Sequence, residues 1–262
     1  MQRAIEQQNR LIALTTELKK ALMHKLFTEG TRGEPQKQTE IGPIPESWEV
    51  VELGNVLSVA QYGLSVRADD DGAYPMLRMT NQVDGKIVPH DLKFVDLGYE
   101  ELCKFRVLPG DVLFNRTNSF DLVGRTAIYD LDGDYVFASY LIRLRMNAEG
   151  LNPYFLNHYF NWEVTQLRLK SIATRAVSQS NISATRLKRF VIPLPVIEEQ
   201  TEIIENLALL DTARSHHQKV KDSFRDLFRT LLHQLMTAEI RVNDLDLAEL
   251  GIEVKEDQKE AA

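Results

Sequence analysis

The chain has 262 residues, 44% hydrophobic and 26% charged, with a formal net charge of −7 and a single cysteine, Cys103. That length buries one sizeable core with room for an appendage, and one cysteine excludes an internal disulfide and a cysteine metal cluster. No window approaches the roughly 18 consecutive apolar residues of a membrane span, and the polar start "MQRAIEQQNR" lacks the apolar stretch of a signal peptide, so a reducing cytoplasm is the expected location.

From about Arg3 to Phe27, Leu11, Leu14, Leu18, Leu22 and Leu26 recur every three or four residues. This spacing predicts an amphipathic helix, ended by Gly30 and Gly33. The stretch from about Ile41 to Pro195 mixes α and β signals. "GPIPESW" reads as extended chain, and "AYPMLRMTNQVDGKIV" as two strands around an Asp84-Gly85 turn. Pro109-Gly110 marks a turn before the short buried strand Val112-Leu113-Phe114. "YDLDGDYVFASYLIRLRM" reads as a hairpin turning at Asp132-Gly133. "NPYFLNHYFNWEVTQLRLK" reads as one helix, capped by Asn152 with Pro153 at its first position.

The most regular stretch follows. It begins with Pro195 and two acids, as a helix start does. Ile203, Leu210, His217, Phe224 and Leu231 then fall seven residues apart, and Ala213, Val220 and Leu227 form a second such series. This is a heptad seam with His217 as its polar interruption. A helix of about 40 residues is about 60 Å long, more than a domain of this size covers, so the seam is expected to meet another helix. After Ile240 the chain turns acidic and is expected to be disordered. The organisation expected is thus a helix over 1–30, a globular domain over 41–195, a long helix over 196–238 and an acidic tail over 241–262.

The two helices resemble each other. "ELKKALMHKLFTEGTR" lies over "DLFRTLLHQLMTAEIR" at a constant offset, with Leu18, Leu22, His24, Leu26, Thr28 and Arg32 matching Leu227, Leu231, His233, Leu235, Thr237 and Arg241. The matching His, Thr and Arg favour a repeat over chance likeness of leucine-rich helices. The chain then reads as one unit of an alternating array of domains and helices.

No catalytic constellation stands out. "NPYF" is similar to the Asn-Pro-Pro-Tyr/Phe signature of DNA adenine methyltransferases but lacks a proline, and no glycine-rich loop for S-adenosylmethionine precedes it. "DLK", Asp91 to Lys93, is half a nuclease motif without its upstream aspartate. There is no Walker loop, H-E-x-x-H or G-x-S-x-G, and no metal site is expected. Three polar sets are more informative. Asn115, Arg116, Thr117, Asn118 and Ser119 follow a buried strand. Arg175, Ser178, Gln179 and Asn181 lie in a loop after a helix. Arg78, Thr80, Asn81 and Gln82 form the third. Singly, each is explained as a solvated turn or a helix cap. Together they supply the side chains that pair with base edges, Arg with guanine and Asn with adenine. Glu163 to Arg189 also holds six bases against one acid, so local charge favours a phosphate backbone despite the acidic total.

These features meet in a family. "TEIGPIPESWEVVELGNV", "YPMLRMTNQVDGKI", "LPGDVLFNRTNSFDLVGRTAIY" and "SQSNISATRLKRFVIPLPVIEEQTEII" resemble, in order, successive segments of the DNA-specificity subunit of type I restriction–modification systems. A full subunit carries two target recognition domains, each followed by a long helix, whereas this chain resembles half of one. The resemblance implies an α+β fold, with a mixed α/β target recognition domain, a long coiled-coil spacer helix after it and a shorter helix before it. It implies double-stranded DNA as ligand, and the polar sets then offer Asn115, Arg116, Thr117, Asn118, Arg175 and Gln179, and after them Arg78 and Asn81, as candidates for base and phosphate contacts. It implies no catalysis and no cofactor in this chain. S-adenosylmethionine is expected in partner DNA adenine methyltransferase subunits, and ATP and Mg in a restriction/motor subunit. Helix pairing through Leu18, Leu22, Leu210, Val220, Phe224, Leu227 and Leu231 is expected to give a homodimer with two identical recognition domains. Three other readings remain: a phage or mobile-element decoy of the same fold that captures methyltransferase subunits, a nuclease or methyltransferase in its own right, which would need catalytic residues that the sequence does not present, and a coiled-coil adaptor that reads no DNA.

Overall fold

The computed structural model describes residues 2–147, 150–175, 179–237, 239 and 240; the expected acidic tail over 241–262 lies outside the described residues. The chain divides into two compact units, Leu18–Leu210 and a second made of the residues before and after it.

The larger unit is organised around a mixed sheet of six strands. In spatial order these are Leu57–Tyr62, Leu141–Met146, Val112–Asn115, Thr126–Ile128, Lys86–Ile87 and Gln82–Val83. The central strand is buried on both faces. Val112 and Phe114 point into one cluster, with Ile142, Leu144, Phe155 and Phe160. Leu113 points into another, with Leu77, Ala127, Tyr129 and Phe137. This is the period-two alternation of a strand between two apolar layers. At about 25 cal/mol per Å² of apolar area, each such side chain contributes about 2 kcal/mol. The strand at the start of the domain, Glu49–Glu52, pairs antiparallel with the strand at its end, Val191–Leu194, which closes the domain on itself.

Helix α1 (Gln2–Glu29) stops where Gly30 takes φ 67°. Its last turns belong to the core: Met23, Leu26 and Phe27 are buried, and Phe27 lies 5.3–5.6 Å from the rings of Phe155, Tyr159 and Trp162. The helices that follow are α2 (Tyr99–Phe105), α3 (Pro153–Asn161), α4 (Glu163–Ser171), α5 (Ala184–Lys188) and α6 (Ile197–Met236). Long α6 is the 40-residue helix that the heptads predict. Its first turns are buried in the same domain through Glu199, Gln200, Ile203 and Leu207. Glu199 accepts from Thr31 N at 2.9 Å and from Trp48 Nε1 at 3.0 Å. Gln200 receives Asn152 N at 2.8 Å and donates to the carbonyls of Gly150 and Pro195. A carboxylate expected to favour a helix start through the macrodipole thus also fastens that start to the domain.

In the second unit, α1 and α6 meet through Gln8 Oε1 and His217 Nδ1, 2.9 Å apart. His217 is the polar residue of the seam, and its partner is this glutamine. Leu11, Leu14 and Leu18 of the first leucine stripe are exposed, as are Leu227, Phe228, Leu232 and Leu235 of α6.

Three local expectations are corrected. The Asp84-Gly85 turn is present, with φ 51° and 78°, but Tyr74–Leu77 does not join that hairpin. A 3-10 turn over Met79–Asn81 redirects the chain, and Tyr74–Leu77 pairs with Lys93–Val95 and Val136–Phe137 in a separate sheet. The hairpin expected to turn at Asp132-Gly133 does not form: after that turn Val136–Phe137 runs parallel to Met76–Leu77, and Leu141–Met146 pairs with Leu57–Tyr62 and Val112–Asn115; both side chains of Val136–Phe137 are buried. The helix over 153–171 is broken at Trp162, whose backbone is extended with φ −68° and ψ 135°. The break turns the indole into the core beside Phe27 and Tyr159. Asn152 does cap α3, accepting from Tyr154 N at 2.9 Å.

Candidate nucleic-acid interface

The strand Val112–Asn115 does not end in a solvated loop. After Arg116 the chain leaves the large sheet and continues as Thr117–Asn118 in a small polar sheet with Ser180–Asn181 and Thr174–Arg175. Thr117 stands opposite Asn181 and Asn118 opposite Ser180, while Arg175 stands opposite Ser180 from the other side. Two polar sets more than fifty residues apart in sequence therefore form one surface. Asn181 Nδ2 donates to Thr117 Oγ1 at 2.8 Å, and Ile182 N donates to Arg116 O at 2.9 Å.

Each expected contact residue takes a definite place. Arg116 is half-buried, with its guanidinium 4.6 Å from the ring centre of Tyr62 and Nη1 donating to Ser139 O at 3.2 Å. Tyr62 is itself fixed, because Ala184 N donates to its hydroxyl at 2.8 Å. Arg175 is exposed and lies 3.8 Å over Phe120, with Lys170 5.6 Å from the same ring. Gln179 is exposed beside the sheet, and Ser178 lies outside the described residues. Asn118 is half-buried; its Oδ1 accepts from Ser119 N, and its Nδ2 sits 3.0 Å from Met79 Sδ. Thr117 and Asn115 are buried, and Asn115 Oδ1 has no partner among the described residues.

The third set is largely occupied by the fold. Asn81 is fully buried, accepts from Arg78 N at 2.9 Å and donates to the carbonyls of His90 and Val88. Arg78 forms an ion pair with Asp91 at 3.0 Å. Composition of the sequence missed the aromatic partners of the cations, Tyr62 and Phe120. Phe120 was the findable one, an exposed aromatic inside the polar run "NSFDL". No group of three or more potential metal ligands occurs among the described residues, and none of the described helices is long and apolar enough to cross a membrane.

The family model of the type I restriction modification DNA specificity domain matches residues 45–222. The chain belongs to that family. Relatives of this specificity-domain chain agree. The sequence assigned as specificity subunit of the MjaX type I restriction enzyme of Methanocaldococcus jannaschii is 39% identical over 178 residues, covering 67% of this chain and 42% of that protein. The MjaVIII specificity subunit of the same organism is 28% identical, covering 91% of this chain and 57% of its own length. The EcoKI specificity subunit of Escherichia coli is 24% identical and is covered over 44% of its length. The chain thus spans about half the length of the curated relatives it matches. Among solved structures, the HsdS subunit from Thermoanaerobacter tengcongensis superposes with a TM-score of 0.56 at 19% identity, over 87% of this chain and 52% of that one. The S subunit from M. genitalium gives a TM-score of 0.58 at 14% identity, over 88% and 56%. These specificity-subunit structures share the fold: a shorter helix, a sheet-containing recognition domain and a long helix.

Proposed function

We propose that this chain is the DNA-reading component of a type I restriction–modification enzyme, and that each copy reads one half-site. The observation that carries the proposal is the small polar sheet, which joins the Thr117–Asn118 and Thr174–Arg175 strands beside aromatic-backed arginines. Arg116, Asn118, Arg175 and Gln179 are the contacts with bases and phosphates. Thr117 and Asn181 hold the sheet together. A rigid strand feeding a polar strip is suited to this work, because side chains already fixed lose little entropy when they bind.

Catalysis belongs to partners. Adenine methyltransferase subunits carrying S-adenosylmethionine flip and methylate the base, and a motor–nuclease subunit, with ATP and Mg, completes the restricting enzyme. The long helix sets the distance between two half-sites and docks the methyltransferase. Two copies supply two identical recognition domains and therefore a two-part palindromic site, since two-fold protein symmetry is mirrored in the DNA. Methylation-sensitive sequencing of the host genome with and without the gene tests this reading. Loss of one bipartite adenine-methylated motif on deletion is expected, and replacement of residues 45–190 by those of a relative should change its bases. An unaltered methylation pattern after deletion would overturn it.

A further inference from the structure

Beside the polar sheet lies a cleft of about 590 Å³, lined by Arg168, Arg186, Arg189, Phe190 and a single carboxylate, Glu40, among others. We infer that this cleft is a phosphate-binding site that grips one phosphodiester of the DNA backbone next to the bases being read. The inference rests on the DNA-reading proposal and adds to it a site that carries affinity without sequence preference.

The chemistry is that of an oxyanion cradle. Arg168 is held in place by three contacts. Nη1 donates to Tyr159 Oη at 2.8 Å, Nη2 donates to Val191 O at 2.8 Å, and the guanidinium lies 4.5 Å from the centre of the Phe190 ring. Burial pushes the Tyr159 phenol upward, so it accepts this bond as a neutral oxygen and leaves the cation uncompensated. Arg186 Nη1 donates to Ile172 O at 3.0 Å and to Thr174 Oγ1 at 2.7 Å, with Nη2 and Nε left over among the described residues. Arg189 is exposed and makes no side-chain bond among the described residues. None of the three guanidiniums is ion-paired to a carboxylate there. Three guanidiniums lining one cleft supply planar N–H donors of the kind that match the oxygens of a phosphate, for which Arg is preferred to Lys. The Phe190 ring is buried and already covered by Arg168. It is closed to a stacking nucleobase, which favours a bare phosphate over a whole nucleotide.

Placement identifies the source of that phosphate. Arg186 bonds Thr174, Thr174 stands opposite Asn181, and Asn181 bonds Thr117. The cleft thus adjoins the polar sheet at Thr174 and is three contacts from Thr117, along a continuous chain of hydrogen bonds and strand pairing. Phosphate contacts that position a duplex while adjacent side chains read it are the usual division of labour in such interfaces.

The test uses the full-length chain with a duplex selected from a random pool and an unrelated duplex, in fluorescence anisotropy across a salt series. Arg189→Gln and Arg186→Gln should each weaken both duplexes by the same factor, about five- to tenfold, and lower the slope of log affinity against log salt by about one. Arg189→Lys should recover most of the loss. On the selected duplex, one neutral methylphosphonate linkage should weaken the parent but not Arg189→Gln. Parental affinity and slope in both Gln variants would overturn the inference, as would a loss confined to the selected duplex. Binding of inorganic phosphate in the cleft with DNA affinity unchanged would assign it to a free anion and also overturn it. Arg116→Ala and Arg175→Ala, measured alongside, separate the two levels. If they alter DNA binding while the cleft variants do nothing, the cleft assignment alone falls; if no variant alters any duplex, the DNA-reading proposal falls with it.

Discussion

Arg116 and Arg175 carry the same charge in different settings, and the setting decides what each can recognise. Arg116 is clamped between Tyr62 and Ser139 O, and a fixed guanidinium can discriminate a base edge. Arg116→Ala should cost about 1–3 kcal/mol and relax one position of the site, seen as equalised binding to the four base pairs there. Arg175 is exposed on Phe120, so Arg175→Ala should weaken all sequences alike and lower the salt slope by about one; competition assays with single-base variants of the selected duplex distinguish the two behaviours. Glu199 sits where several donors converge: Trp48 Nε1, Thr31 N and Thr31 Oγ1, with Arg32 Nε 3.7 Å away. Glu199→Gln keeps the volume but turns an N–H group toward one of them. A loss of about 1–3 kcal/mol in urea unfolding is expected, and an unchanged midpoint would show that the site relaxes freely. At this scale the sequence was informative about residue type and silent about burial. Asn81, Asn115, Asn118 and Asn181 look alike in composition, yet Asn81 is saturated by the loop it closes. Tyr62 comes from a strand more than fifty residues before Arg116, so no local pattern announced it.

Elements were legible where their cause is local. The Asp84-Gly85 turn, the Asn152 cap and the 40-residue helix follow from nearby residues. The partner of Val136–Phe137 did not, because strand pairing is decided by distant surfaces competing for the same edge. Trp162 broke a good helical pattern because burying its indole outweighs the turn lost. Helix α1 combines two environments in one element: Phe27 is enclosed by three aromatic rings, while Leu14 is exposed. Phe27→Ala should therefore cost about 3–5 kcal/mol through the cavity it leaves. Leu14→Ala should stay within about 0.5 kcal/mol. Thermal unfolding of the two variants checks the contrast, and equal losses would mean that α1 behaves as one separate segment.

For the whole molecule, leucines are left exposed on α1 and on the end of α6, and the proposed pairing of two copies would use them. The heptads announced the seam, but not which parts of it the domain itself would cover, since that depends on the folded core around Ile203 and Leu207. Leu14→Glu combined with Leu227→Glu should convert a dimer into folded monomers in light scattering. A parent chain that is monomeric both alone and with its methyltransferase would remove the case for self-association. Helix α6 then has an uncommon property. Its first turns are locked into the domain through Glu199 and Gln200, and its last turns carry exposed Leu227, Phe228 and Leu232. In hydrogen–deuterium exchange, amides around Ile203 and Leu207 should open only with global unfolding, at a rate independent of protein concentration. Amides around Leu231 should exchange quickly in dilute solution and slow as concentration rises. One uninterrupted helix would thus report two separate equilibria, folding at one end and assembly at the other.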